Sequence, residues 1–452
     1  MREALRRAPL ERIVHVAVAA TIVAVAFGSN WSPSVRHVAQ PLWRAALVAL
    51  AALAVAYAWS RRGRLEVERL RVVPFALAAG VVLVASASAG WSVDAKLTAA
   101  RALSFGLLLT VAAALGYATA GDPPAARRLA LAVLAGACAV GLLGLAVWVL
   151  YPGDAFQEAT PNAPARFRGV GQNANTVSML FAAALPLVAW IAIESRGRLR
   201  VAALAAGALL YGSIVGSGSR GAFATAFLGV LFVTVLLART RRARLALAAG
   251  VAALLVAGLG LSRLPDTLPP ERAGQSPSAS SILTGSPNDA EASFRLEDEL
   301  GNPGHAVYVR PHARGLVGAS GREQAWRGAL EQGADRPLLG YGFGTEDRVF
   351  VDRFYSFFGG VPENSYIGAF LQIGLIGDLL LVALLVALAV PLLLSLRKRA
   401  TGAVVACTAV LLVGVVLASV QSYLYAAGNN ATLTVWLCGF LGLGALATAE
   451  DA

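Results

Sequence analysis

Twelve times along this sequence an apolar run begins and ends at charge, Pro or Gly, and each run can cross a hydrocarbon core of ~30 Å as a helix. The runs cover residues 13–28, 42–59, 72–90, 99–119, 128–150, 174–193, 199–217, 221–238, 243–262, 366–396, 402–426 and 430–448. Composition agrees, with 57% hydrophobic residues, 14% charged residues and a mean hydropathy of +0.65. Such values lie far from those of a water-soluble domain and point to an all-α integral membrane protein with about 12 transmembrane helices. The tenth run is longer than a crossing needs, and Gly374 and Gly377 predict a bend within it.

Basic residues set the expected orientation. Twenty-one Lys and Arg fall on one side, in MREALRRAPLER, SRRGRLEVERLR, AARR, ESRGRLR, RTRRAR and RKR. The short loops and span ends of the other side hold seven: Arg36, Arg44, Lys96, Arg101, Arg166, Arg168 and Arg220. Cytoplasmic ends of spans collect positive charge, so both termini are expected in the cytoplasm. The net charge of +12 is then chiefly a topology signal, not a footprint for nucleic acid. No small-residue cleavage pattern follows the first run, which reads as a retained anchor. Cys138, Cys407 and Cys438 all fall in predicted spans, where packing is their expected role; no disulfide framework or metal cluster is suggested.

Three regions follow: helices 1–9 over residues 1–262, an extracytoplasmic loop over 263–362, and helices 10–12 over 363–452. The first part of the loop is rich in Pro, Ser and Gly, and FRLEDELGNPGHAVYVR predicts a hairpin turning at Gly301–Gly304. GREQAWRGALEQG has helical spacing, with Ala325, Trp326, Ala329 and Leu330 on one face. GYGFG, which follows, is not GxGxxG and reads as a tight turn.

Residues with chemistry converge on the outer side. NAPARFRGVGQNANTVSM places Arg166, Arg168, Gln172, Asn173 and Asn175 there; SGSRGAF places Arg220 in a turn; Arg322 opens the loop helix; and PENSY brings Glu363, Asn364 and Tyr366 to the mouth of the tenth run. An arginine at membrane depth costs roughly 2.5 to 3.5 kcal/mol on insertion scales, so Arg220 needs an anionic partner or water, with snorkelling to a headgroup as the plainer alternative.

WSVDAK after the third run, RFRGVGQNAN, SGSRGAF, SGREQAWRGALEQGADRPLLGYGFG and PENSYIGAFLQIGLIG occur in an order that resembles the O-antigen ligase and O-antigen polymerase superfamily, over about residues 90–395. The resemblance implies a GT-C-like glycosyltransferase of the bacterial inner membrane. Such an enzyme moves a glycan from undecaprenyl diphosphate to an acceptor sugar, on lipid A core or a lipid-linked repeat, without metal, nucleotide sugar or other cofactor. Ligases of that family carry His followed by Asn, Ser or Gln, nine residues and GxxG. Here Asn364 and GLIG keep the spacing, and Glu363 stands in place of the His.

The chemistry can also be stated without the resemblance. Displacing a sugar from a diphosphate needs positive charge against the leaving group and a base for the acceptor proton. Guanidinium groups stay charged and grip phosphate oxygens bidentately, so Arg220 and Arg322, with Arg166 or Arg168, are candidates for the first task. Two roles are open to Glu363: the base, or a carboxylate placed favourably against a helix N-terminus. His305 and His312 in the loop are secondary candidates for the base. A flippase for lipid-linked glycans, or another multi-span transporter, is the competing class, although neither an internal repeat nor a mid-membrane carboxylate was expected from the sequence.

Overall fold

The computed structural model describes residues 2–61, 72–157, 165–238, 245, 249–250, 252, 256, 322–350, 361–397 and 400–446. Among them the chain is a helical bundle with a single small hairpin. In chain order the elements are α1 (Arg2–Gly28), α2 (Pro33–Arg61), α3 (Val72–Ala87), α4 (Ala95–Ala118), α5 (Pro123–Leu150) and the short α6 (Pro152–Ala155). Strand β1 (Phe156–Gln157) then pairs antiparallel with β2 (Arg166–Phe167), before α7 (Ala174–Glu194), α8 (Gly197–Ser217) and α9 (Arg220–Leu237). After these come α10 (Arg322–Gly333), the single-turn α11 (Glu346–Val349), α12 (Ser365–Ser395), α13 (Gly402–Ala418) and α14 (Thr432–Leu446).

Among the described residues nine helices are long and apolar enough to cross a membrane, and α13 and α14 are shorter apolar helices. Two expected boundaries need correction. The eleventh apolar run extends to residue 426, but its helix stops at Ala418, and the helix of the twelfth starts at Thr432. Between them, residues 419–431 are turns carrying buried Tyr423, Leu424 and Tyr425. A hydropathy scan scores those side chains as membrane-facing because it cannot see that they pack on protein. The ninth run, 243–262, lies largely outside the described residues, as do the predicted hairpin at Gly301–Gly304, His305 and His312.

Helix starts are written locally. Asp94, Asp122, Asn173, Asn364 and Thr401 each accept a backbone N–H in the first turn of the helix that follows, a cap that contributes about 1 kcal/mol. In lipid, apolar burial does little to hold helices together, so close backbone approach matters. Gly116 of α4 and Gly444 of α14 meet where a Cβ on either would strike the other helix, 2.7 Å from the Phe440 carbonyl oxygen and 2.3 Å from the Gly116 carbonyl oxygen respectively. Helix α7 is buried on nearly every face between α5, α8, α9 and α13 and forms the centre of the bundle.

One end of the bundle is tied by Arg61 to Asp122 at 2.6 Å and by Arg128 to Glu11 at 2.5 Å. At the other end the loops bind one another. The Asn30 amide donates to the Val170 carbonyl at 2.8 Å, and the Trp91 indole donates to the Leu339 carbonyl at 3.0 Å.

The expected bend in the tenth run is a break. Gly374 has φ 62°, outside helical space, and splits α12 into a short leading helix and a full-length one. A break leaves backbone groups without helical partners, and in an apolar setting each must be satisfied elsewhere. The loop before α11 does this. Leu375 N–H donates to the Pro337 carbonyl at 2.8 Å, while Tyr341 and Gly342 N–H donate to the Leu371 and Gln372 carbonyls at 3.1 and 2.7 Å. Only glycine fits the break, because a Cβ on Gly374 would lie 2.2 Å from the Leu338 carbonyl carbon. GYGFG is therefore a turn, as expected, and its backbone stitches the break. WSVDAK holds that turn in place: Val93 N–H donates to the Tyr341 carbonyl at 3.0 Å, and Ser88 just before it accepts the Phe343 N–H at 2.9 Å.

Candidate functional site

The mouth of α12 begins with a strained residue. Glu363 is the one non-glycine residue with positive φ among those described, at 49°, a conformation that costs of order 1–3 kcal/mol and persists only where the surroundings enforce it. Here the enforcement is visible on both sides. Trp326 of α10 donates its indole N–H to the Pro362 carbonyl at 2.8 Å, and Asn364 caps α12. Held in this way, the Glu363 carboxylate meets the Arg322 guanidinium: Nε donates to Oε2 at 2.7 Å, and Nη2 donates to the same oxygen. The two side chains are only 22% and 23% exposed, so the pair is partly desolvated and weakly screened. Helix α10 buries Ala325 and Ala329 as expected, whereas Leu330 is 47% exposed.

Asn364 and Tyr366 serve the mouth's construction. The Asn364 Oδ1 accepts from the Tyr366 and Ile367 N–H at 3.0 and 3.2 Å, and its Nδ2 donates to the Ser419 carbonyl at 3.0 Å. The Tyr366 hydroxyl donates to the Val415 carbonyl of α13 at 2.9 Å. Asn364 is the helix cap, and Glu363 precedes it.

Arg220 is the first residue of α9, and its neighbour Gly221 lies against Val420, whose Cγ2 would be 3.2 Å from a Cβ there. The start of α9 and the mouth of α12 thus flank the same segment, residues 419–431. Arg166 and Arg168 sit close by on β2 and just after it, both buried. Arg166 donates to the Ser217 carbonyl at 2.6 Å and to the Asn175 Oδ1 at 2.5 Å. Arg168 donates to the Asp154 carbonyl at 3.1 Å and stands 4.0 Å over the Trp31 ring. Asn173 caps α7 by accepting from Thr176. The structure therefore brings the predicted residues to one end of the bundle in two groups, Arg322–Glu363–Asn364–Tyr366 and Arg166–Arg168–Asn173–Asn175, with Arg220 at the turn between α8 and α9.

Sequence reasoning missed Glu346, which opens α11 and is fully buried beneath the mouth. It accepts from Ser422 Oγ at 2.7 Å, the Tyr425 hydroxyl at 2.7 Å and Gln372 Nε2 at 3.2 Å. Burial pushes its carboxyl up to about 7; the Ser422 and Tyr425 hydrogen bonds and Arg101 oppose that rise, while Asp347 adds to it. GTED carries no local signal of this, since the three donors come from positions 26, 76 and 79 residues away.

Fold and site together define a multi-pass membrane protein with an arginine–carboxylate pair at one end of its bundle. The family comparison goes a step further: residues 205–382 match the family described as O-antigen ligase, which supports placing the chain in the O-antigen ligase and polymerase superfamily. The match takes in Arg220, Arg322, Glu346, Glu363, Asn364 and Tyr366. A search of curated proteins found no match. The family points to glycosyltransferase activity in surface polysaccharide synthesis, with lipid-linked glycan substrates in a bilayer.

Proposed function

We propose that the protein transfers a glycan from undecaprenyl diphosphate to an acceptor sugar hydroxyl on the outer face of the inner membrane, as an O-antigen ligase or polymerase does. The observation that carries this reading is the Arg322–Glu363 pair at the mouth of α12, inside the region that matches the ligase family. In the resting protein the carboxylate occupies the place on the guanidinium that a phosphate oxygen would take, since both are anions recognised by the same donor fork. Arrival of the diphosphate displaces Glu363 from Arg322. One exchange of partners then does two things: the guanidinium stabilises the charge developing on the leaving diphosphate, and the released carboxylate accepts the acceptor's hydroxyl proton. The acceptor oxygen forms its bond to the anomeric carbon as the bond to the diphosphate oxygen breaks. Arg220, at the start of α9 beside the same segment, is the second cation of the reading.

The test is Arg322→Ala and Arg322→Lys in purified, folded protein supplied with an undecaprenyl-diphosphate-linked glycan and a glycan acceptor. Ala should abolish transfer, and Lys should restore little, because an ammonium cannot reproduce the planar fork. Near-normal transfer by the Ala variant would remove Arg322 from the site.

A further inference from the structure

Beneath the mouth, Glu346 is a fully buried carboxylate that the proposed reaction does not use. Its three donors come from two different parts of the chain, Gln372 of α12 and Ser422 and Tyr425 of the 419–431 segment. A buried carboxyl with no polar partners is expensive, and three neutral donors converging on its two oxygens make a built arrangement. Gly368 of α12 makes room for it, because a Cβ there would lie 2.0 Å from the Tyr425 hydroxyl and 2.5 Å from Glu346 Oε1. The network also reaches the mouth. Ser422 Oγ donates to Glu346 and accepts the backbone N–H of Asn364 at 3.1 Å. That N–H belongs to the residue next to Glu363.

We propose that Glu346 is a positioning residue for the proposed transfer: through Ser422 it fixes the Asn364 backbone, and thereby aims the Glu363 carboxylate at Arg322. The inference rests on the transfer reading for its consequence but not for its geometry. With Glu346 in place, the Ser422 hydroxyl has its proton committed to the carboxylate, so its lone pair faces Asn364. Without Glu346 the hydroxyl rotates, and the strained φ of Glu363 loses one of the contacts that maintain it. Among the described residues the charged groups acting on Glu346 are Asp347 and Arg101, which bind each other at 2.7 Å.

The experiment measures backbone hydrogen–deuterium exchange over residues 361–368 in full-length protein, with transfer kinetics alongside. Ser422→Ala and Glu346→Ala should each speed exchange in this peptide roughly fivefold or more, the scale of one lost hydrogen bond. Transfer should fall by about 10² in kcat with little change in donor KM, because misplacement of a reacting group acts on the chemical step. Glu346→Gln, whose carbonyl can still accept from Ser422, should recover most of both. A site lost through general loosening would instead show faster exchange across α12 and no rescue by Gln, and that result overturns the proposal. Unchanged exchange and kcat in folded Ser422→Ala overturn it too, and this variant decides the matter if Glu346→Ala does not fold. If exchange responds as stated while the wild-type protein transfers no glycan, the positioning stands and the transfer reading falls.

Discussion

At Glu363 the same carboxylate is strained, ion-paired and placed beside a helix it does not cap. Glu363→Gln keeps the shape but cannot take a proton, so kcat should fall by ~10² to 10⁴, the span of general base catalysis. The same change frees Arg322, so apparent KM for the lipid-linked donor should stay level or drop. A rise in KM with kcat preserved would show Glu363 acting only in binding. Glu363→His should keep measurable turnover, since imidazole accepts protons near neutral pH. If the arginines replace a metal, activity should survive EDTA, and loss on chelation with recovery in Mg²⁺ would contradict that. Glu346 makes a separate prediction. Its folded carboxyl titrates at about 7, above the 4.5 of a free glutamate, so the folded chain holds the proton more tightly. The associated stability is fully present below about 4.5 and is lost as pH rises through about 7, a difference of roughly 3 kcal/mol at most. Thermal unfolding followed across this window should show a slope that Glu346→Gln lacks.

At the scale of elements, the broken α12 is the feature on which the mouth depends. Gly374→Ala should destabilise the protein by at least ~2 kcal/mol, from positive φ and overlap with the Leu338 carbonyl, whereas Gly212→Ala on exposed α8 meets nothing within 4 Å and should be tolerated. Equal behaviour of the two in thermal unfolding would show that the break is dispensable. Much of this was legible beforehand. Apolar run length gave the nine spans found among the described residues, and Gly374 gave the bend; Arg322 and Glu363 were each legible as candidates, but not their pairing. Other parts were hidden for physical reasons. The turns at 419–431 are as apolar as a span, and the partners of the break come from a loop thirty or more residues earlier in sequence. Nor could spacing show that Glu346 is buried, because its burial is made by elements remote in the chain.

For the whole molecule, the proposed transfer requires the mouth to face outward. Cysteine at exposed Asp335 should react with an impermeant thiol reagent in spheroplasts, and cysteine at exposed Arg198 only after permeabilisation; the reverse pattern would invert the topology. Transfer and transport also part company at this scale. Detergent micelles have no two sides, so a flippase produces no signal in them, whereas a transferase still makes a glycosidic bond. The most direct measurement therefore uses the purified protein alone in micelles, with undecaprenyl-diphosphate-linked glycan and an acceptor glycan, and follows the acceptor's mass. The wild-type protein should enlarge the acceptor by the donor glycan, and Arg322→Ala should not. An unmodified acceptor in micelles, with the same protein carrying the lipid-linked glycan across sealed vesicles, would contradict the transfer reading.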